Sequence, residues 1–517
     1  MMLTISSTDS SVNSLSNSKY NQHFWILVGG LTLIRLILAS VINLVPQEAY
    51  YWLYIQQPAL SYFDHPPLCS YGIGLFTHLF GNKEVFVRLS TLLFSIGTQW
   101  AVFELSKKAF GNVKIAFWSV VALNLTIFFN ISAFFATPDS PLLFFWALCM
   151  LFTYQALFHH NTWANWILAG IFAGLAMYSK YTAVFLFLSV FCYFIISPHN
   201  RSRLWNLKPY ISVIISFLVF FPVILWNANN HWASFLFQTS HRASGATKLG
   251  FKYLLQLVAS QFYELTPLFF ILLFTVSAII IKNFWHEKKE RYLFFTSYSL
   301  PMIIFFVMIS LTTLVKMNWL QPAYLALIIL ITAVYYEKCK HKQSLRKKLK
   351  FGAIISLCLI ILNLGIILFP IVPIKKGDTW NGWGELSTEI QTLYQEMSVK
   401  APVFIFGNEY KIAAEMAFYS PYKELIYAQN IYNQPALQFD FWKSPHQLIG
   451  QNAIFMYSDF APMKKIEILD SYFQKVIHYK TIEIKYWGFT FRRFYLYKCY
   501  NYMGPVYDDS KLNLSSF

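Results

Sequence analysis

Chemically capable residues in this chain cluster at the ends of long apolar runs. The densest cluster is residues 46–68, Pro-Gln-Glu-Ala-Tyr-Tyr-Trp-Leu-Tyr-Ile-Gln-Gln-Pro-Ala-Leu-Ser-Tyr-Phe-Asp-His-Pro-Pro-Leu. It holds Glu48, Asp64 and His65 among the aromatics Tyr50, Tyr51, Trp52, Tyr54, Tyr62 and Phe63. The stretch is too polar to span a bilayer, and Tyr and Trp favour the headgroup layer. A carboxylate placed there can accept a proton from a hydroxyl or orient a group that needs no base. A neighbouring histidine can tune it or help hold an anion.

Other ionisable residues recur in the same kind of place. Thr137-Pro138-Asp139-Ser140-Pro141 opens an apolar run, where an acid commonly caps a helix. Gly170-x-x-x-Gly174-Leu-Ala-Met-Tyr-Ser-Lys180-Tyr181 joins two apolar runs. Its glycines suit close helix packing, and Lys180 is either a snorkelling side chain or a binding cation. The run from Pro222 through Trp226-Asn227, Trp232, Phe235 and Gln238 ends at Arg242, whose guanidinium suits bidentate phosphate binding. Lys316-Met-Asn318-Trp319-Leu-Gln321-Pro322-Ala-Tyr324 opens another apolar run.

The elements that must position these residues are membrane helices. The chain is 56% hydrophobic, 19% aromatic and only 13% charged, about half the charge of a soluble protein. Taking about 17 to 25 apolar residues per span, we expect about eleven, near 23–44, 86–105, 115–135, 141–158, 163–179, 182–197, 209–227, 254–281, 293–314, 319–336 and 351–370. The apolar stretch 66–80 is too short to cross and reads as an interfacial helix. With it outside, Lys107, Lys108 and Lys114, then Arg201, Arg203 and Lys208, then Lys282 to Arg291, then Lys338 to Lys350 all face the cytoplasm. The net charge of +17 is thus a topology signal and no sign of nucleic acid. The scattered cysteines give neither a metal spacing nor a disulfide framework.

This places a tail at 1–22 in the cytoplasm, a transmembrane domain at 23–370 with its first outer loop at 45–85, and an outer domain at 371–517. Lys316 then stands on the face where cations are scarce, which favours a ligand for it. In the outer domain, β-like runs at Val403–Phe406, Leu425–Tyr427, Ala453–Tyr457, Lys475–Tyr479 and Thr490–Tyr497 alternate with helical segments such as Glu409–Tyr419, giving a small α/β domain. It has no glycine-rich nucleotide fingerprint. Gly382-Trp383-Gly384-Glu385-Leu386 and Ala414-Glu415-Met-Ala-Phe418-Tyr419 read as structural.

Glu-Ala-Tyr-Tyr-Trp followed by Tyr-Phe-Asp-His-Pro-Pro-Leu resembles the first outer loop of the GT-C glycosyltransferases. It is most similar to the bacterial branch related to dolichyl-phosphate-mannose protein mannosyltransferases and to the aminoarabinose lipid A transferase. The Thr-Pro-Asp-x-Pro-Leu, Gly-Leu-x-x-x-Ser-Lys-Tyr, Trp-Asn…Trp-x-Ser-Phe…Gln…Arg and Asn-Trp-x-x-Pro-Ala-Tyr elements resemble further motifs of that family. One departure stands out, because the family usually carries Asp-Glu where this chain has Gln47-Glu48.

The resemblance implies a polytopic α-helical membrane protein of GT-C type with a small C-terminal α/β domain. It implies an inverting transfer of one sugar from a polyprenyl-phosphate donor to an envelope acceptor, lipid A first, at the periplasmic face of a bacterial inner membrane. Asp64, Glu48 and Asp139 are the candidate acids, with Asp64 and Glu48 favoured. Lys180, Arg242, Lys316 and His65 are the candidates for the donor phosphate, and Gln47, Tyr51, Tyr181, Asn227, Gln238, Asn318 and Trp319 for substrate contacts. No cofactor is required. The acids could hold a divalent cation, though the lysines and arginine make one unnecessary. A protein hydroxyl is the rival acceptor. A lipid or sugar carrier is the rival class, but a carrier is expected to place its charges at the bilayer midplane.

Overall fold

The structure, a computed structural model, describes residues 5–241, 250–275, 290–369, 380–442, 444–458, 463 and 465–504, with side chains except at 5–17, 240–241 and 338–339. The chain forms two compact units. The first comprises Met1–Leu38, Leu89–Leu225 and Arg242–Leu362, and the second Ala39–Arg88, Trp226–His241 and Asn363–Phe517. In chain order the first helices are α1 (Ile5–Val41), α2 (Pro46–Tyr54), α3 (Leu68–Phe80), α4 (Glu84–Phe110), α5 (Val113–Asn124), α6 (Ile127–Ser132), α7 (Asp139–Phe158), α8 (Trp163–Ser179), α9 (Phe185–Ile196) and α10 (Leu207–Asn229).

The protein is a multi-pass membrane protein. Among the described residues, six helical stretches are long and apolar enough to cross a bilayer: Ser18–Val41, α4, α7, α10, Glu290–Ile309 and Gln343–Leu368. The pair Lys252–Glu264 and Thr266–Thr275, bent by 112°, makes a seventh if it crosses once. The count is lower than the hydropathy reading because some apolar runs form short or broken helices. The run 115–135 is α5 plus α6. Between them Asn130 Nδ2 donates to the carbonyls of Asn124 and Thr126, each at 2.8 Å, while Arg35 Nη2 donates to Asn124 Oδ1 at 3.0 Å and Asn130 Oδ1 at 3.2 Å. Side-chain amides thus satisfy backbone groups freed at a break within an apolar segment. The run 254–281 bends where Thr266 takes a positive φ of 62°, and residues 276–281 lie outside the described set. So do Lys282, Lys288 and Lys289 of the basic loops.

Within the first unit, α8 meets α10 through small residues. A Cβ added to Gly170 would lie 2.4 Å from the Ser212 carbonyl oxygen, and one on Gly174 would lie 2.7 Å from that of Ser216. The glycines therefore permit backbone-to-backbone contact, as the sequence spacing suggests.

The second unit is built on a five-stranded sheet, β1 (Val403–Gly407), β2 (Ile426–Tyr427), β3 (Asn452–Ser458), β4 (Phe473–Tyr486) and β5 (Phe489–Tyr502), in the order β2-β1-β3-β5-β4. β1 pairs in parallel with β2 and β3, and β5 pairs antiparallel with β3 and β4. β1 is buried along its whole length, which is why its sequence is continuously apolar. Four of the expected β-runs fall within these strands, the fifth, Leu425–Tyr427, is a strand only at Ile426–Tyr427 because Leu425 ends a 3-10 turn, and the expected helix appears as Tyr410–Tyr419. Helix α2 packs on Tyr410–Tyr419, with Tyr50 against Tyr410 at 4.8 Å and Trp52 against Phe418 at 5.0 Å between ring centroids. Tyr419 adds a polar tie, its hydroxyl accepting from Leu44 N at 2.9 Å and donating to Glu84 Oε1 at 3.0 Å.

Gly170→Val should therefore lower stability by about 1–3 kcal/mol, the usual range for overpacking, because its neighbour is backbone that cannot rotate away. Gly29, with open space around its Cα, is the control. Melting of both variants in detergent should show a large drop for Gly170→Val and little change for Gly29→Ala.

Candidate active site

Helix α2 begins at Pro46, whose fixed φ suits a first helical position, and Glu48 reaches back to accept from Val45 N at 3.0 Å. The same carboxylate is bound by Arg88 in a two-point grip, Nε to Oε1 at 2.8 Å and Nη2 to Oε2 at 2.6 Å, with both side chains fully buried. Arg88 also donates to the carbonyls of Ile42 at 2.6 Å and Asn43 at 2.8 Å. Glu48 is therefore occupied as the counter-ion of Arg88. Through this pairing Glu48, one of the favoured acids, ties α2 to Arg88.

Asp64 has different company. Tyr50 and Tyr54, one turn apart on α2, both donate to Asp64 Oδ1, Tyr50 at 3.1 Å. Burial, with the adjacent Asp64 carboxylate as the next cause, raises both phenols well above their ordinary range, so both stay protonated as donors. Tyr50 in turn accepts from Gln438 N at 3.0 Å, and the Gln438 side chain accepts from Phe63 N at 2.7 Å. Gln238 Nε2 donates to the Asp64 carbonyl at 2.9 Å. The His65 ring lies edge-on to Tyr51 at 5.8 Å. Asn227 Oδ1 accepts from Ser234 N at 3.1 Å and so shapes the turn that leads to Gln238. Gln47 is exposed.

A second polar cluster lies in the first unit. Asp139 does not cap its own helix. Its Oδ1 accepts from Lys180 Nζ at 2.6 Å and its Oδ2 from Asn318 Nδ2 at 2.7 Å, with Asp139 and Lys180 both buried. Three sequence motifs, at 137–141, 170–182 and 316–324, thus converge on one carboxylate. Close by in charge terms is Glu264, whose Oε1 accepts from Gln321 Nε2 at 3.0 Å while Ser132 Oγ donates to Gln321 Oε1 at 2.9 Å. Lys316 is exposed, Trp319 packs on Phe306 at 5.4 Å, and Tyr181 meets Phe220 at 6.3 Å. Arg242 lies outside the described residues. Among the described residues no group of three or more His, Cys, Asp or Glu is placed to share a metal ion.

Sequence reasoning missed Arg88, Gln438 and Glu264. An acid at the bend of an apolar run was the available signal for Glu264. Arg88 and Gln438 carry no local signal, since their partners are remote in sequence.

The architecture is that of the GT-C membrane glycosyltransferases. It resembles ArnT from Cupriavidus metallidurans in the apo state with a TM-score of 0.64 over 92% of this chain and 98% of that one, at 13% identity. The same protein bound to undecaprenyl phosphate gives 0.60 over 92% and 97%, also at 13% identity. Residues 64–226 match the dolichyl-phosphate-mannose-protein mannosyltransferase family, and the chain is a glycosyltransferase. The lipid A galacturonosyltransferase RgtD of Rhizobium johnstonii is 24% identical over 336 residues, covering 64% of this chain and 69% of that protein.

Two buried acids of the second unit should respond oppositely to amidation. Glu48→Gln leaves Arg88 without its charge partner and should cost about 3–5 kcal/mol. Glu415 is fully buried, neither of its oxygens has a hydrogen-bond partner among the described residues, and burial raises its carboxyl well above the usual range. Burial therefore favours its uncharged form, and Glu415→Gln should leave the melting temperature unchanged or higher. Thermal melts of the two variants at pH 7 decide the matter.

The turn that carries Gln438 should also respond to pH. Asp440 Oδ2 accepts from Ala436 N at 2.7 Å, and burial pushes its carboxyl from 3.8 up to about 7. Because the folded value lies above the unfolded one, this contribution is fully present below about pH 4 and is lost as pH rises through about 7. Asp440→Asn should therefore raise the melting temperature at pH 8 and change it little near pH 4. An equal offset at both pH values would refute the assignment.

Proposed function

We propose that this chain transfers one sugar from a polyprenyl-phosphate donor to lipid A or a closely related envelope glycolipid, on the periplasmic face of a bacterial inner membrane. The observation that carries the reading is Asp64, a buried carboxylate in the acidic outer-loop motif, held on one oxygen by two protonated phenols. The solved relative whose bound lipid is undecaprenyl phosphate supports the donor class, and the lipid A galacturonosyltransferase supports the acceptor.

In this reading the acceptor oxygen attacks the anomeric carbon from the face opposite the phosphate. The new C–O bond forms as the bond to the phosphate oxygen breaks, the configuration inverts, and polyprenyl phosphate leaves with the electron pair. Asp64 takes the proton of a hydroxyl acceptor, or orients an acceptor that is already a phosphate. Tyr50 and Tyr54 fix its rotamer without cancelling its charge. Lys180, Lys316, Arg242 and His65 are assigned to the departing phosphate on the motifs that carry them, since a fixed cation stabilises charge that develops there. The Asp139 pairing gives Lys180 a defined position. Gln47, Tyr51, Tyr181, Asn227, Gln238, Asn318 and Trp319 are assigned to substrate contacts or to holding the segments that make them.

Membranes containing polyprenyl-phosphate sugars and lipid A, incubated with the purified enzyme, should yield lipid A heavier by one sugar in mass spectrometry. Asp64→Asn should lower the rate by about 10²–10⁴ for a hydroxyl acceptor, with folding checked by melting. Tyr54→Phe should give a smaller loss. Donor consumption with the sugar appearing on protein would replace the acceptor by a protein hydroxyl. An unimpaired Asp64→Asn enzyme would remove Asp64 from the chemistry.

A further inference from the structure

Within the first unit, a cavity of about 170 Å³ opens between α7, α8, α9 and α10. Its floor is Cys149 and Thr153 from α7 with Ala169 and Ala173 from α8, and α9 and α10 supply the aromatic and aliphatic walls, among them Phe191 and Tyr210. The cause lies in the sequence of α8. Gly170 and Gly174 admit the α10 backbone, while the small side chains of Ala169 and Ala173, each one position earlier, leave the adjoining slot unfilled.

The slot lies away from Lys180 and Asp139 of the same unit. On α8, residues 166–173 precede Lys180 by about 10–21 Å at 1.5 Å per residue. On α7, Cys149 and Thr153 follow Asp139 by about 15–21 Å by the same rise. It is apolar, smaller than the roughly 300–1,000 Å³ typical of pockets for whole drug-sized molecules, and opens past Phe191 and Tyr210, both more than half exposed.

Its mouth is basic. Leu204 and Pro209 line the slot, and their chain neighbours are Arg203 and Lys208, with Arg201 just before. Arg201 donates to the Ile195 carbonyl at 2.6 Å, and Lys208 to that of Asn161 at 2.6 Å. Among the described residues none of the three forms a salt bridge. The nearby acid Glu290 is engaged instead by Ser197 at 2.6 Å and Tyr193 at 3.0 Å. These cations belong to a loop that the positive-inside pattern assigns to the cytoplasm, where the leaflet carries anionic lipid.

We propose that this slot holds one acyl chain of an anionic phospholipid whose phosphate is bound by Arg203 and Lys208, a structural lipid site separate from the sugar-transfer site. The chain fills the space that Ala169 and Ala173 leave open, and the headgroup supplies the charge that the basic loop lacks. The bound lipid thereby joins the α7–α8 pair to α9 and α10.

Native mass spectrometry of the full-length protein, titrated in detergent with dioleoylphosphatidylglycerol or dioleoylphosphatidylcholine, tests this. The anionic lipid should be retained about tenfold more strongly, and Arg203→Gln should reduce that by about fivefold, at the strength usual for one basic residue beside anionic lipid. Ala173→Phe, which fills the slot, should abolish retention of both. Peptide-resolved alkylation of wild-type Cys149 gives a readout that needs no variant, since phosphatidylglycerol should slow it and phosphatidylcholine should not. Equal retention of the two lipids, unchanged binding in folded Arg203→Gln, or no protection of Cys149 would overturn the proposal. So would displacement of phosphatidylglycerol by equimolar undecaprenyl phosphate, which would hand the slot to the donor lipid.

Discussion

The second unit hangs on the Glu48–Arg88 pair. Arg88 stands near the start of α4, yet its donors reach the carbonyls of Ile42 and Asn43, just past α1, and both carboxylate oxygens of Glu48 on α2. Taking both charges out of water is expensive, and the cost is recovered only when nearly every donor and lone pair is used. That requirement fixes three chain segments at once. With α2 so fixed, Tyr50 and Tyr54 fall one helical turn apart on the same face, and both hydroxyls meet one oxygen of Asp64. The ion pair therefore acts on the candidate chemistry from a distance, through the helix it holds.

The first unit follows the same rule with other partners. An apolar helix bundle tolerates a polar side chain when it is bonded to another or to freed backbone. Lys180, Asp139 and Asn318 form one such set, Ser132, Gln321 and Glu264 a second, and Arg35 with Asn124 and Asn130 a third. Each set spans helices distant in sequence and so selects one packing of otherwise interchangeable apolar faces. Glu264 is the incomplete member, since its second oxygen is buried with no hydrogen-bond partner among the described residues.

What could be read from the chain was what repeats locally. Hydropathy located the apolar runs, period-two and apolar runs located the strands, and Gly170 and Gly174 announced a close helix contact that the structure contains. The acids Asp64 and Asp139 stood out because each begins or borders a run where a charge is costly. Pairing across long separations had no such signal. Nothing near Glu48 names Arg88, and nothing near Asp139 names Lys180, because each partner lies some forty residues away. The breaks at 125–126 and 265–266 contain neither proline nor glycine, so only the side-chain bonds that Asn130 makes to nearby carbonyls, and the positive φ at Thr266, reveal them.

The contrast between the three acids then follows from what each is bonded to. A guanidinium on two points neutralises Glu48 and immobilises it, and an ammonium with an amide does nearly the same to Asp139. Phenols act differently, because a neutral donor orients a carboxylate and lowers its energy while leaving its charge in place. The two phenols give the Asp64 carboxylate a fixed direction. Its neighbours Gln438 and Gln238 are neutral amides that bond backbone or phenol rather than the carboxylate itself. Glu48 thus ties α2 to Arg88, while two phenols of the same helix orient Asp64.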